Sequence, residues 1–223
     1  EKNSETAIKS NKEELLFKWY EENEFKNSQV QFYLPSATLY ENMNFNYSVK
    51  SRNNANYPFI HILGDNLVPM HRYADLMFNI KNIPRNYKNK ALIIRYDNEK
   101  ISPEGGIVSD EWLIAKVRDF GIYTVEIDTI PPEINPINIY PGKNMSNSED
   151  IKFVIKDELS GIDNYTGYIN NEWVLFEYDP KNDLLTYRFD DAGSRKEINE
   201  QELEIYITDE RGNKSMYHAI FKR

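Results

Sequence analysis

Asp157-Glu158-Leu159-Ser160-Gly161-Ile162, then Gly167-Tyr168-Ile169-Asn170-Asn171-Glu172-Trp173-Val174-Leu175-Phe176-Glu177-Tyr178-Asp179, then Leu185-Thr186-Tyr187-Arg188-Phe189, and finally Ile207-Thr208-Asp209-Glu210-Arg211-Gly212-Asn213 decide the fold of this chain. Short apolar and aromatic runs alternate with turn residues at nearly even intervals, the rhythm of antiparallel strands joined by tight turns. Asn170-Asn171 suits a two-residue hairpin loop, because Asn tolerates positive φ. Asp179–Asp183 and Arg211-Gly212-Asn213 read as two further turns. Strands are expected near Ile134–Tyr140, Ile151–Lys156, Asn164–Ile169, Trp173–Tyr178, Leu184–Phe189, Glu202–Thr208 and Ser215–Lys222. Seven strands in about ninety residues is the size of an immunoglobulin-like sandwich.

Upstream, Thr129-Ile130-Pro131-Pro132 marks a domain boundary. Two prolines remove two backbone donors and constrain the residue before them, so no sheet runs through. Before it, Val30–Leu34, Met43–Val49, Leu76–Ile80, Ala91–Tyr96, Glu111–Val117 and Ile122–Ile127 carry strand patterns, while Tyr57–Arg72 reads as irregular. At the start, Ser10-Asn11-Lys12-Glu13 has the form of a capping box, and Leu15, Leu16, Trp19 and Tyr20 follow at helical spacing. Residues 11–23 are therefore expected as a short helix, or else as a linker. The expected architecture is all-β: a helix or linker over 1–28, then two antiparallel immunoglobulin-like sandwiches in tandem, over 29–130 and 131–223.

Composition narrows the function classes. Sixteen Tyr and eleven Phe suit half-buried pleated surfaces. A formal net charge of −9 with no basic stripe excludes nucleic-acid partners. The absence of cysteine excludes a disulfide framework, thiolate metal sites and cysteine catalysis. No stretch is apolar enough for membrane insertion. The first residue is Glu1, not Met, so the chain is expected to come from something longer.

Candidate sites are few. His61 and His71 with Asp65 could supply zinc ligands, although zinc needs three or four and a loop role explains them as well. Asp157, Glu158 and Asp163, together with Asp209, are calcium candidates through their oxygens; Asp is equally an ordinary turn acceptor. Glu172, Glu177 and Asp179 raise a carboxylate hydrolase, which needs two carboxyls about 5–9 Å apart across a cleft. Trp112 and Trp173 are expected in the cores, with the Trp173–Leu175 face turned to the opposite sheet. Phe176 then falls on a second apolar surface. With Tyr165, Tyr168 and Tyr178 it makes the candidate binding surface for a glycan or protein. No nucleophile elbow, phosphate loop or dinucleotide fingerprint occurs, and no cofactor is implied.

One resemblance carries further. Val117-Arg118-Asp119-Phe120-Gly121-Ile122-Tyr123-Thr124-Val125 with Asp128-Thr129-Ile130-Pro131-Pro132, Ile62-Leu63-Gly64-Asp65 with Pro69-Met70-His71-Arg72, Lys90-Ala91-Leu92-Ile93, and Gly105-Gly106 occur in this order with the two C-terminal stretches quoted first. Over residues 57–223 the chain resembles the C-terminal β-sandwich accessory region of lysostaphin-type zinc endopeptidases of the Bacteroidetes. That family holds zinc through a His and an Asp and the first His of a His-x-His pair; here only His61, His71 and His218 occur, and no His-x-His. No catalytic residue is carried over. The resemblance implies a non-catalytic cell-envelope module, periplasmic or extracellular, that positions or regulates a neighbouring endopeptidase domain or binds a wall or surface partner. A carboxylate hydrolase and a stand-alone adhesive surface protein are the alternatives.

Overall fold

Period-two alternation becomes two-layer packing throughout. The computed structural model describes residues 15–53, 55–97, 100–189 and 199–223. The chain is all-β, with 59% of it in strands and 2% in helix. It divides into two compact units, Glu1–Asp128 and Thr129–Arg223.

In the first unit the strands are β1 (Leu15–Phe17), β2 (Asn23–Lys26), β3 (Val30–Leu34), β4 (Met43–Phe45), β5 (Tyr47–Ser51), β6 (Phe59–Leu63) and β7 (Pro69–Asn79). After a single helical turn, α1 (Arg85–Lys88), come β8 (Ala91–Asp97), β9 (Lys100–Gly105), β10 (Ile107–Ser109), β11 (Trp112–Asp119) and β12 (Gly121–Ile127). One sheet runs β10-β11-β7-β3-β2 and the other β5-β6-β12-β8-β9, with β1 and β4 paired separately. Val30, Phe32 and Leu34 alternate into the core, where they join Phe45, Phe78 and Phe120. Gly64 adopts φ +63° beside that core, and a Cβ there would come within 2.5 Å of the Phe120 ring.

Three secondary-structure expectations change in this unit. Leu15–Phe17 and Asn23–Lys26 are strands, not helix or linker, and belong to the first sandwich. Phe17 stacks on Phe45 with ring centroids 4.4 Å apart. Asn23 closes the intervening turn, accepting from Lys18 N and donating to Lys18 O, both at 2.8 Å. These contacts outweigh weak local helix preference. The Ser10–Glu13 capping box lies outside the described residues. Met43–Val49 divides at Asn46 into β4 and β5, which pair with β1 and β6 respectively. The segment expected as irregular contains β6 and the start of β7.

The second unit contains β13 (Glu133–Pro136), β14 (Asp150–Lys156), β15 (Ile162–Ile169), β16 (Glu172–Val174), β17 (Glu177–Asp179), β18 (Leu184–Arg188), β19 (Glu200–Asp209) and β20 (Lys214–Lys222). Its sheets are β13-β14-β18-β17 and β16-β15-β19-β20. In immunoglobulin lettering that is A-B-E-D against C′-C-F-G. Asn170 and Asn171, at φ +53° and +63°, form the expected tight hairpin between β15 and β16.

Trp173–Tyr178 is not one strand. It leaves one sheet after Val174 and enters the other at Glu177. The face assignment reverses as a result: Trp173 and Leu175 are each 62% exposed, whereas Phe176 is buried in the core. Gly167 lies opposite Val174 on β15, and the Phe176 ring occupies the space a side chain at Gly167 would fill. Trp112, in the first unit, is only half-buried.

Most of the sheet edges are guarded. β2, β10, β16 and β17 are three or four residues long. Pro103 and Pro136 sit in the edge strands β9 and β13, where a missing donor is tolerated. The long edge strand β20 is flanked by residues 142–145: Gly142 N donates to Ile220 O at 2.7 Å and Met145 N to Lys222 O at 2.7 Å.

Candidate binding face of the second sandwich

Alternation along β15, β19 and β20 sends Leu203, Ile205, Ile207, Ala219 and Phe221 inward. The intervening residues form an open face, and the strand register sets them in rows. Trp173, Tyr168, Glu204 and His218 align across all four strands; Thr166, Tyr206 and Met216 make the next row, and Asn164, Thr208 and Lys214 a third. A shallow depression of about 540 Å³ lies over the β15 and β19 members of these rows, with Asn171 and Lys214 also in its lining.

Large apolar groups stay in contact with solvent here: Trp173 is 62%, Met216 52% and Tyr206 41% exposed. The Tyr168 and Tyr206 rings meet edge to face, with centroids 6.3 Å apart and planes at 76°. The Tyr206 hydroxyl donates to Glu204 Oε1 at 3.3 Å. Partial burial, and then the Glu204 charge, push that hydroxyl above its ordinary pKa, so it is a neutral donor and acceptor. Glu202 and His218 pair at 2.9 Å on the same face. The depression's lining carries one carboxylate, Glu204, beside amide, hydroxyl and ammonium groups. Such a surface can stack and hydrogen-bond a ligand.

Of the expected surface residues, only Tyr168 lies in this depression. Tyr165 and Tyr178 are half-buried against the second core, with centroids 5.8 Å apart. Burial raises the Tyr178 hydroxyl pKa, reinforced by Asp183 and Asp179. Phe176 is a core residue. Trp173, Tyr206, Thr208 and Lys214 were not expected on one face. The signal for Tyr206 is the alternation Glu204-Ile205-Tyr206-Ile207-Thr208, which puts an aromatic on the polar side.

The acids fall into separate groups. Asp157 Oδ1 accepts the amides of Leu159, Ser160 and Gly161 at 3.1, 2.7 and 2.8 Å. Asp209 Oδ1 accepts those of Arg211 and Asn213, both at 2.8 Å. The two carboxylates come within 4.8 Å of each other, and Glu210 N donates to Gly161 O, tying the two turns together. Glu158 instead pairs with Lys156, and Asp163 is exposed, so of the four calcium candidates the fold brings Asp157 and Asp209 together and leaves Glu158 and Asp163 apart. Glu172, Glu177 and Asp179 are exposed on β16 and β17, in opposite sheets, and none lines the depression. Asp179 organises its own turn, accepting from Lys181 N at 3.1 Å and Asn182 Nδ2 at 2.6 Å.

In the first unit His61 is wholly buried. Its Nδ1 lies 2.9 Å from the Tyr47 hydroxyl, its Nε2 2.8 Å from that of Tyr57, and its ring stacks on Phe78 at 4.4 Å. Burial pushes its pKa down to about 3. Both nitrogens are engaged, leaving no lone pair for a metal. Asp65 accepts Leu67 N in a local turn, and His71 Nδ1 sits 3.3 Å from the Tyr40 hydroxyl. Of the three zinc candidates, His61 is thus a core hydrogen-bonding group, while His71 and Asp65 lie at the surface in separate local contacts. Arg95 holds a second polar cluster, 3.2 Å from Glu104 and 3.4 Å from Asp119. Burial raises the Glu104 pKa despite that guanidinium.

The profile of the Zu5-like domain family matches residues 14–128, and no curated protein matches the chain. The matched stretch is just over half of the sequence and ends where the first compact unit ends. Its two-sheet packing, from β1 to β12, is thus the shared part, and the chain belongs to the Zu5-like domain family.

Proposed function

We propose that this chain is a non-catalytic module of the cell envelope, periplasmic or extracellular, in a member of the Bacteroidetes. Its task is to bind a wall or surface partner, or to position or regulate a neighbouring peptidoglycan endopeptidase domain. The observation that carries the reading is the open face of the β16-β15-β19-β20 sheet. Large aromatic and apolar groups there remain exposed around a depression, which is the character of a docking surface. The dispersal of Glu172, Glu177 and Asp179 gives the carboxylate-hydrolase alternative no support. The resemblance to endopeptidase accessory regions supplies the expected partner; the Zu5-like match names none.

The test uses the full chain. Co-sedimentation with an insoluble envelope fraction, weakened by Trp173→Ala, is the expected result. A chain that fails to co-sediment and does not alter the turnover of an endopeptidase domain added in trans overturns the proposal. So does clear, mutable hydrolysis by the chain alone.

A further inference from the structure

We propose that the open face of the second sandwich is a glycan-binding site, taking an uncharged oligosaccharide chain laid across Trp173, Tyr168 and Tyr206. This deepens the module reading above and rests on it.

Sugar rings are amphipathic. One face of a pyranose presents C–H groups that pack on an aromatic ring, while its rim carries hydroxyls that donate and accept in the ring plane. A site for them needs exposed aromatic surface with short polar side chains beside it. Trp173 and Tyr168 are direct cross-strand partners, and Tyr206 lies diagonally across β15 and β19 from Trp173. Cross-strand neighbours on one face have Cβ atoms about 4.5–5.5 Å apart, so Trp173 and Tyr168 leave the sheet side by side, and the Tyr168 and Tyr206 rings lie 6.3 Å apart. The edge-to-face setting of Tyr168 and Tyr206 leaves one ring able to stack while the other offers its edge and hydroxyl. Asn164, Thr166 and Thr208 complete the rim in the depression. Amides and hydroxyls both donate and accept, as sugar hydroxyls do.

Charge selects among glycans. Glu202 and Glu204 lie on this face, opposed by Lys214 and His218, and the whole chain carries −9. A sulfated or uronic-acid chain meets no excess of positive charge here and is repelled at long range. A neutral hexose or N-acetylhexosamine chain pays no such penalty. Trp173 stands outside the depression's lining, next to Tyr168 within it, and a half-open depression continued by that exposed ring suits a chain lying across it better than a single deeply enclosed sugar. A protein partner would make a larger, drier contact centred on the same aromatics.

Binding is measured with the full chain by calorimetry and by NMR shifts of the Trp173, Tyr168 and Tyr206 side chains. The probes are a β-1,4-linked N-acetylglucosamine hexamer, a β-1,4-linked glucose hexamer and polygalacturonate. Saturable binding of at least one neutral hexamer is expected, with shifts on those three residues and none with the polyanion. Trp173→Ala and Tyr206→Ala should each weaken it about tenfold or more, as for a central aromatic anchor, while Leu67→Ala, an exposed change in the first unit, leaves it intact. Both aromatics are solvent-exposed, so loss of binding in a folded variant reads out the site. Neutral hexamers that neither bind nor compete for the envelope fraction, while Trp173→Ala still reduces co-sedimentation, overturn the glycan inference and leave the module reading standing. The same holds for self-association through this face in sedimentation velocity, abolished by Trp173→Ala. Absence of any co-sedimentation or effect on the endopeptidase counts against the module reading itself.

Discussion

Phe176 and Gly167 share one space: a Cβ on Gly167 would lie 2.3 Å from Cε2 of the Phe176 ring. The chain crosses between sheets at Phe176, and the missing side chain on β15 is what admits the ring. Gly167→Ala is expected to destabilise the second unit by about 1–3 kcal/mol through overpacking. Phe176→Ala should cost about 3–5 kcal/mol. Trp173→Ala, at an exposed position, should stay within about 0.5 kcal/mol. Chemical denaturation of the full chain with a probe in the second unit checks this order; a large loss for Trp173→Ala would return that residue to the core.

Acid sensitivity should trace to His61. The unfolded imidazole titrates near 6.5 and the folded one near 3, so between those values the unfolded state binds a proton that the folded state refuses. Stability from this group is complete above about pH 6.5 and is lost as pH falls, by up to about 1.4 kcal/mol per unit. About 3 kcal/mol should be gone near pH 4. In His61→Phe the two tyrosine hydroxyls lose a buried partner, costing about 1–3 kcal/mol at neutral pH, but the acid slope flattens. Parallel pH profiles for the two proteins would assign the loss to other groups.

The hairpin at Asn170-Asn171 depends on positive φ at both positions. Asn171→Val should cost about 1–2 kcal/mol, because a β-branched residue is strained there, while Asn171→Gly should not lower the melting temperature. Asn170 is the less replaceable of the pair, since its Oδ1 accepts Glu202 N at 2.9 Å and its Nδ2 donates to Gln201 Oε1 at 2.7 Å. Thermal melts of the two Asn171 variants provide the comparison.

Arg95 is expected to be a keystone of the first unit. Arg95→Met removes the cation from Glu104 and Asp119, leaving a half-buried carboxylate without its partner. The expected cost is about 2–4 kcal/mol, below that of breaking a fully buried pair because Asp119 is largely exposed. Adding Glu104→Gln to Arg95→Met should recover part of it, and a double-mutant cycle by urea denaturation measures the coupling.

Strand rhythm was legible wherever pairing is local. The Asn170-Asn171 hairpin and the turns at Asp179–Asp183 and Arg211–Asn213 follow from short-range chemistry alone. The errors arise where a distant contact decides. Phe59–Leu63 looked irregular because His61 counts as polar by composition, yet it sits neutral between two tyrosines and behaves as a core aromatic. Leu15–Phe17 fits either period over so short a run, and the Phe17–Phe45 stack chooses strand. Alternation misplaced Trp173 because it presumes one continuous strand. The candidate face was legible only in part: Tyr168 stood out, but its grouping with Tyr206, Thr208 and Lys214 depends on the register of β15, β19 and β20.

The guarded edges have a consequence for life at high local density. Unpaired strand borders are templates on which neighbouring chains zip together, the first step toward fibrous aggregates. Here the prolines of β9 and β13, the three- and four-residue strands, and the backbone bonds from residues 142–145 to β20 leave little continuous ladder to extend. At these edges a neighbouring copy finds few free backbone groups to pair with, so contacts between copies there fall to side chains, where single substitutions can tune them.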